Sequence, residues 1–336
     1  MRAVVITRPG GPDVLEVHDV AEPAPGPGEL LVDVVAAGVN RADVLQREGH
    51  YPPPPGVPPW PGLEVAGVVR EVGPSDEPAG SPAAGSDEVW RPGDRVAALL
   101  GGGGYAERVV VPTALALRVP DSLALPEAAA LPEALVTAWM VLETADARPG
   151  EAILVRGGSG GVGSVAVQLA AARGLRVLAT AGGAQRVARV AELGGADVVL
   201  DHRSDDLVEQ VREATSGRGA DVVLDVLGAG GLEENVAVLA LDGRVVVIGL
   251  QQGRRGTLDV GELLARRGSL RATTLRSRPA RDKARLVAAV REHAWPLVTA
   301  GRVRPVVHAT LPLDQAGRAH ELLTSGEVFG KLLLEP

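Results

Sequence analysis

A glycine-rich turn between two stretches of regular structure constrains the fold of this chain more than any other feature. Glycines with the spacing Gly-x-Gly-x-x-Gly occupy residues 158–163, after the apolar run 152–155 and before a run with helical periodicity over 162–173. In this context the first glycine permits a tight turn, the second lets the backbone approach a pyrophosphate, and the third lets helix and strand pack closely. The amides and the dipole at the helix N-terminus favour a bound phosphate. The sequence therefore predicts a strand–turn–helix unit that binds a dinucleotide.

The patterns on either side of this turn predict an α/β fold with two kinds of sheet. Before about residue 120, short strand-like runs are separated by Pro/Gly turns, which favours a partly open β-barrel. After about residue 127, helical stretches alternate with apolar strand-like runs, which is typical of a doubly wound parallel sheet. Those strands are predicted at 152–155, 176–180, 198–200, 221–225 and 244–248.

Three segments follow from this division. We predict a barrel-like catalytic domain over 1–122 and a Rossmann domain over 123–265. The tail over 266–336 is expected to end the Rossmann sheet and to return to the catalytic domain. Residues 73–92 are rich in Pro, Gly, Ser, Asp and Glu, which indicates a surface loop.

The composition excludes several classes of site. The chain has 336 residues, no cysteine and a net charge of −8, so thiolate zinc sites, disulfides and cysteine nucleophiles are absent and no overall charge attracts nucleic acid or anionic membrane. Its six histidines lie far apart, which argues against any metal site. The longest apolar region, 128–141, contains Pro132 and Glu133 and is too short to span a bilayer. We therefore expect a cytoplasmic protein.

The same turn also fits a different chemistry. Gly157-x-Ser159-x-Gly161 matches the nucleophile elbow of α/β-hydrolases, and Asp225 and His293 follow in the order of a catalytic triad. Against this hypothesis, an elbow does not need the glycine at 163, and no His-Gly-Gly-Gly oxyanion loop precedes the turn. The sequence favours dinucleotide binding but does not exclude a hydrolase.

The end of the second predicted strand indicates which dinucleotide is bound. NAD enzymes usually carry an acidic residue there, about 20 residues after the turn, to bind the ribose. Here residues 180–186 contain no acid, and Arg186 could pair with a 2′-phosphate. We therefore predict NADPH as the cofactor, with an exposed helix charge as the alternative explanation of Arg186.

Ordered motifs along the whole chain resemble one known family. They include 38–43 (GVNRAD), 49–56 (GHYPPPPG), 62–64 (GLE), 131–134 (LPEA), 241–244 (LDGR), 275–278 (LRSR) and Gly330-Lys331. These motifs resemble the zinc-independent quinone oxidoreductases of the medium-chain dehydrogenase/reductase superfamily, closest to the tumour-suppressor-inducible branch. The resemblance implies a chaperonin-10-like (GroES-like) barrel, a Rossmann domain, and a homodimer formed by edge strands of the Rossmann sheets. The predicted strand 270–275 is the expected edge.

The resemblance also implies a set of site residues. It places Asn40 and Tyr51 beside the nicotinamide and the substrate as the catalytic residues. His202 stands where relatives carry tyrosine, and Gly183 where they often carry serine. Around the cofactor it places Asn40, Thr137, Gly158, Ser159, Gly160, Gly161, Val162, Gly163, Gly182, Arg186, His202, Leu227, Gly228, Gly249, Leu250, Leu275, Arg276 and Lys331.

The chemistry expected of such a site is hydride transfer without a metal. Zinc-dependent relatives carry cysteine and histidine where Asn40 and Leu63 stand, and without a Lewis acid an unactivated ketone is a poor hydride acceptor. A quinone or an enone spreads the developing charge, so we predict an NADPH-dependent quinone reductase. An enone or enoyl reductase and a non-catalytic dinucleotide- or RNA-binding protein are the alternatives. Tyr51 is expected either to donate a hydrogen bond to the developing oxyanion or only to pack over the cleft.

Overall fold

The structure is a computed structural model that describes residues 1–74 and 89–336. Most of the loop predicted at 73–92 therefore lies outside the described residues. The chain forms two compact units. The first contains Met1–Val136, Arg276–Thr299 and Pro305–Pro336, and the second contains Thr137–Leu275 and Ala300–Arg304. The domain limits at 122 and 265 stay predictions.

The helices and strands are numbered in chain order. The described strands are β1 (Arg2–Ile6), β2 (Leu15–Asp19), β3 (Glu29–Val39), β4 (Glu64–Val72), β5 (Arg95–Leu99), β6 (Arg108–Pro112), β7 (Ala116–Arg118), β8 (Ala152–Val155), β9 (Arg176–Ala181), β10 (Val198–Asp201), β11 (Ala220–Asp225), β12 (Leu239–Val247), β13 (Ser269–Ala272), β14 (Val307–Pro312) and β15 (Lys331–Glu335). The described α-helices are α1 (Arg41–Arg47), α2 (Leu125–Ala128), α3 (Pro132–Thr144), α4 (Gly161–Ala172), α5 (Ala184–Leu193), α6 (Leu207–Ala214), α7 (Leu232–Ala237), α8 (Val260–Ala265), α9 (Ala280–Ala289), α10 (Trp295–Thr299) and α11 (Ala316–Ser325).

The first unit is built on a mixed seven-stranded sheet. Its order is β14-β15-β3-β4-β5-β7, and β6 pairs with β3 beside this path. The described strands do not close into a barrel. This agrees with the partly open barrel that the sequence predicts. The tail supplies β14 and β15, and β15 runs antiparallel to β3. Alternating apolar side chains fill the core because one face of each strand is turned inward; Leu30, Val32, Val65, Val96 and Leu332 are fully buried.

The second unit is built on a parallel six-stranded sheet, which confirms the predicted doubly wound fold. Its order is β10-β9-β8-β11-β12-β13. The first strand, β8, lies in the middle, so the strand order reverses between β8 and β11. Ligands of such sheets bind at the carboxyl ends of the strands beside this reversal. The strand β13 is an edge, and its Leu270 is 39% exposed.

The apolar region 128–141, which the sequence analysis judged too short to span a bilayer, lies within a longer helical stretch. The run Leu125–Thr144, formed by α2 and α3, has 20 residues and could cross a membrane by length and composition alone. However, 78% of its apolar window is buried inside the protein, as in a core helix. The stretch is interrupted before Pro132, because proline disfavours a helical conformation in the residue that precedes it.

Candidate functional site

The glycine turn of the second unit connects β8 to α4 as predicted. A Cβ on Gly163 would lie 2.0 Å from the carbonyl oxygen of Gly157, so only glycine lets the helix pack this closely on the strand. A Cβ on Gly158 would lie 3.0 Å from the Cβ of Ala179. In contrast, a Cβ on Gly160 would meet nothing nearer than 3.4 Å. Gly160 precedes α4, whose first amides have no partner within the helix. The turn therefore leaves free space beside amide donors that have no partner within the helix.

The end of β9 combines two glycines with basic side chains. The guanidinium of Arg203 lies within 3.1 Å of where a Cβ of Gly183 would stand and within 3.4 Å of the corresponding position at Gly182. Arg186 lies in the first turn of α5, directly after these glycines. Gly183 has a φ of 83°, a conformation that favours glycine over serine. Arg203 thus occupies the space that a side chain at 182 or 183 would take.

An acidic residue from the neighbouring strand is also present here, although residues 180–186 contain none. Asp201, at the end of β10, accepts the amides of Gly183 and Arg203 at 3.0 Å each. These two hydrogen bonds hold the pKa of Asp201 below its usual value. The sequence argument missed this carboxylate because it considered only the second strand. His202 approaches Gly182 closely, and burial lowers the pKa of its imidazole.

The turns after β11 and β12 meet in the second unit. The amides of Leu227 and Gly228 donate to Asp225 at 3.0 and 2.9 Å. A Cβ on Gly228 would lie 2.9 Å from both the carbonyl oxygen of Gly249 and the side chain of Leu250. The structure therefore brings these four predicted cofactor residues together. Thr137 and Leu275 are buried in the same unit.

In the first unit, Asn40 and Lys331 meet at a carboxylate that the sequence argument left without a role. Asn40 precedes α1, and its amide Nδ2 donates to Oε1 of Glu64 at 2.8 Å. The ammonium of Lys331 donates to Oδ1 of Asn40 at 2.8 Å and to the same Glu64 oxygen. Glu64 is fully buried and Lys331 is 4% exposed. A Cβ on Gly38 would lie 2.4 Å from Glu64 Oε1, so glycine makes room for the carboxylate.

Tyr51 and Arg276 form a second contact in the first unit. The Arg276 guanidinium lies 5.2 Å from the centre of the Tyr51 ring, which is a cation–π distance. It donates to the carbonyl oxygens of Tyr51 at 3.1 Å and Gly101 at 2.8 Å, and to the side chain of Gln46 at 2.6 Å. Because Arg276 is only 4% exposed, it fixes the segment around Tyr51.

Several ionisable groups buried in the first unit have shifted pKa values. Burial raises the pKa of Asp43 to about 6 although the amides of Gly62 and Asn40 donate to it. Burial and the nearby Glu64 carboxylate raise the pKa of Glu133 to about 8. Burial lowers the pKa of His320 to about 3. The described residues contain no group of three or more His, Cys, Asp or Glu that could hold a metal ion.

The structure does not favour the hydrolase alternative. Asp225 is fully buried, and its two oxygens accept the amides of Leu227 and Gly228 rather than a histidine. Four non-glycine residues of the described chain have a positive φ, and Ser159 is not one of them. The turn is therefore not strained at the serine, as a nucleophile elbow would be.

Two protein-family models match the chain. The model of the alcohol dehydrogenase GroES-like domain matches residues 26–121. The model of the zinc-binding dehydrogenase matches residues 161–291.

Curated proteins and solved structures resemble the chain over its full length. The quinone oxidoreductase of Lama guanicoe is 32% identical over 340 residues, which cover 99% of this chain and 97% of that protein. An NAD-dependent alcohol dehydrogenase is 36% identical, covers 100% of both chains and has a TM-score of 0.86. The quinone oxidoreductase of Thermus thermophilus, also solved in complex with NADPH, is 34% identical, covers 100% of both chains and has a TM-score of 0.83.

These similarities confirm the family predicted from the sequence motifs, whereas the tumour-suppressor-inducible branch stays a prediction. The parallel sheet and the glycine turn agree with them. The chain belongs to the quinone oxidoreductase family of the medium-chain dehydrogenase/reductase superfamily.

Proposed function

We propose that the protein transfers a hydride from NADPH to quinones without a metal ion. The glycine turn at the start of α4 carries this proposal, because Gly160 leaves free space beside the helix amides where a pyrophosphate would bind. The acceptor class is proposed from the quinone oxidoreductases that the chain resembles. The absence of cysteine, and Asn40 and Leu63 in place of metal ligands, support the metal-free mechanism.

The residues of the second unit fit NADPH. The amides of Gly161 and Val162 would bind its pyrophosphate, and Arg186 and Arg203 would bind the 2′-phosphate. When bound, NADPH supplies the hydride. The turns at 227–228 and 249–250 lie at the carboxyl ends of their strands, where such sheets bind the rest of a dinucleotide.

The residues of the first unit would orient the acceptor. Both ends of the Asn40 amide already have partners, because Nδ2 donates to Glu64 and Oδ1 accepts from Lys331. Asn40 is thus held in one orientation rather than free to bind a substrate oxygen. Tyr51 is anchored by Arg276, and we propose that its hydroxyl donates a hydrogen bond to the acceptor oxygen.

A panel of acceptors tests this function. We expect NADPH oxidation with benzoquinones and naphthoquinones at a kcat/KM at least about tenfold above that with enones or enoyl thioesters, because a quinone spreads the negative charge and gains aromaticity. The measurement is the loss of NADPH absorbance under steady-state conditions. Faster turnover of enones would favour the enone reductase alternative, and no turnover of any acceptor would favour a non-catalytic protein.

We also propose a homodimer that forms through the edge strand β13. This strand ends the parallel sheet, and an unpaired strand edge readily pairs with another chain. Leu270 on β13 and Leu264 on the preceding α8 are 39% and 76% exposed. Light scattering should give a dimer mass, and Leu270→Lys should shift it toward the monomer, whereas Leu241→Lys, at an exposed leucine outside β13, should not. A monomer mass for the unmodified protein would contradict the proposal.

A further inference from the structure

Among residues 1–74 and 89–336, the ammonium of Lys331 has partners for two of its three hydrogens. An ammonium carries three donors. Within the described residues, that of Lys331 makes two hydrogen bonds, to Asn40 and to Glu64. The side chain is 5% exposed, so its tip is almost removed from solvent. The third N–H therefore has no partner among the described residues, and it lies in an environment where a charge acts strongly.

The position of this ammonium is fixed from several sides. The Glu64 carboxylate accepts from Lys331, from the Asn40 amide at 2.8 Å and from the backbone amide of Glu133 at 2.9 Å. Gly38 provides the space for it. A group held in this way needs little reorganisation when a negative charge appears beside it, which is the requirement for electrostatic catalysis.

The charged groups around Lys331 would not repel a negative charge that develops beside its ammonium. Lys331 and Arg276 balance the carboxylates of Glu64 and Asp43. The remaining carboxyl group, that of Glu133, is mostly protonated at neutral pH because its pKa is about 8. The cluster therefore has no surplus carboxylate that would repel an oxyanion.

We propose that Lys331, held by Glu64 and Asn40, donates a hydrogen bond to the acceptor oxygen and stabilises the negative charge that develops there during hydride transfer. This role rests on the proposed quinone reductase function. It places a fixed ammonium where other enzymes use a metal ion or an oxyanion hole.

The reaction balances with one hydride and one proton. The C–H bond at C4 of the dihydronicotinamide breaks, and its hydrogen and two electrons pass to the quinone. The hydrogen forms an O–H bond at one carbonyl of the quinone, and the displaced π electrons shift through the ring onto the other carbonyl oxygen, which gives a hydroquinone monoanion with its charged oxygen beside Lys331. A proton from solvent then forms the hydroquinone, and NADP⁺ remains.

Variants separate this role from a structural ion pair. Lys331→Met alone leaves Glu64 unpaired and buried, which destabilises the fold. The double variant Lys331→Met/Glu64→Gln removes both charges and should keep most of the stability, yet its kcat with quinones should fall about 100-fold, the usual loss for one oxyanion donor. Arg318→Met, which removes an exposed cation from α11 of the same unit, should change kcat less than about threefold. A double variant that folds and keeps its kcat would overturn the proposal.

A binding measurement tests the charge without turnover. 4-Nitrophenol, whose ionised form absorbs visible light, mimics the hydroquinone anion. In the presence of NADP⁺, the unmodified protein should bind it as the phenolate at a pH at least about one unit below that needed by the double variant. If the phenolate binds in this way but quinones are not reduced, Lys331 stabilises a bound anion as proposed, and the quinone reductase function is contradicted. If the double variant ionises the probe equally well, or if only NADP⁺ binding is lost, the assignment of Lys331 is overturned.

Discussion

Gly160→Ala should weaken dinucleotide binding without disturbing the fold, whereas Gly163→Ala should destabilise the fold itself. At Gly160 the φ of −83° suits alanine, and the added Cβ would meet nothing nearer than 3.4 Å. At Gly163 the added Cβ would lie 2.0 Å from the carbonyl oxygen of Gly157. The two substitutions add the same methyl group three residues apart, so each is the matched control of the other.

The expected magnitudes follow from these distances. Overpacking costs about 1–3 kcal/mol of unfolding free energy. A 2.0 Å contact with a backbone oxygen belongs at the upper end of this range, above the roughly 0.5–1 kcal/mol that alanine gains over glycine in a helix. A methyl group at Gly160 would keep the pyrophosphate from the helix amides. Hydrogen bonds to charged groups contribute about 1.5–3 kcal/mol, so the Kd of NADPH should rise roughly 10- to 100-fold.

Thermal unfolding and NADPH fluorescence titration measure the two effects separately. If Gly160→Ala binds NADPH as tightly as the unmodified protein, the pyrophosphate does not approach this turn. If Gly163→Ala is as stable as the unmodified protein, the close packing of α4 on β8 does not limit the residue at 163.

The parallel sheet could be predicted from the sequence because its information is local. Each of its strands is a short apolar run, and the predicted run 152–155 is β8 itself. The first unit was harder to predict in detail. Its strands β7 and β14 were not predicted, since β7 has three residues and β14 alternates half-buried and exposed positions without a fully buried residue. Such strands are defined by the partners with which they pair.

The residues of the candidate site stay predictions from the sequence, and the hydrogen bonds that connect them were not predicted. Asn40 and Lys331 are 291 positions apart and Asn40 and Glu64 are 24 apart, and no spacing rule joins residues so distant. One signal was present, because both Glu64 and Lys331 begin strongly apolar strands. A charge at the end of a buried strand requires a partner. The sequence therefore indicated buried charges without showing that they pair with each other.

The second large effect concerns cofactor preference. Arg186→Ala/Arg203→Ala should raise the Kd of NADPH roughly 100-fold and leave that of NADH within about threefold. Each arginine is expected to contribute roughly tenfold, or about 1.4 kcal/mol, through a charge-assisted hydrogen bond to the 2′-phosphate. NADH lacks this phosphate, so its binding should not depend on either side chain. Arg189→Ala, one turn further along α5, is the matched control for a lost surface charge.

Because Asp201 lies close to Arg203, the same titrations can also show a preference for NADH. Its carboxylate accepts the amides of Gly183 and Arg203, so it lies where an acid could instead accept a ribose hydroxyl of NADH. Titration of the unmodified protein and the variants with NADPH, NADH and adenosine 2′,5′-bisphosphate separates the two cases. Tighter binding of NADH by the unmodified protein, weakened by Asp201→Asn and unaffected by the arginine variants, would mean that the carboxylate rather than the guanidinium groups selects the cofactor.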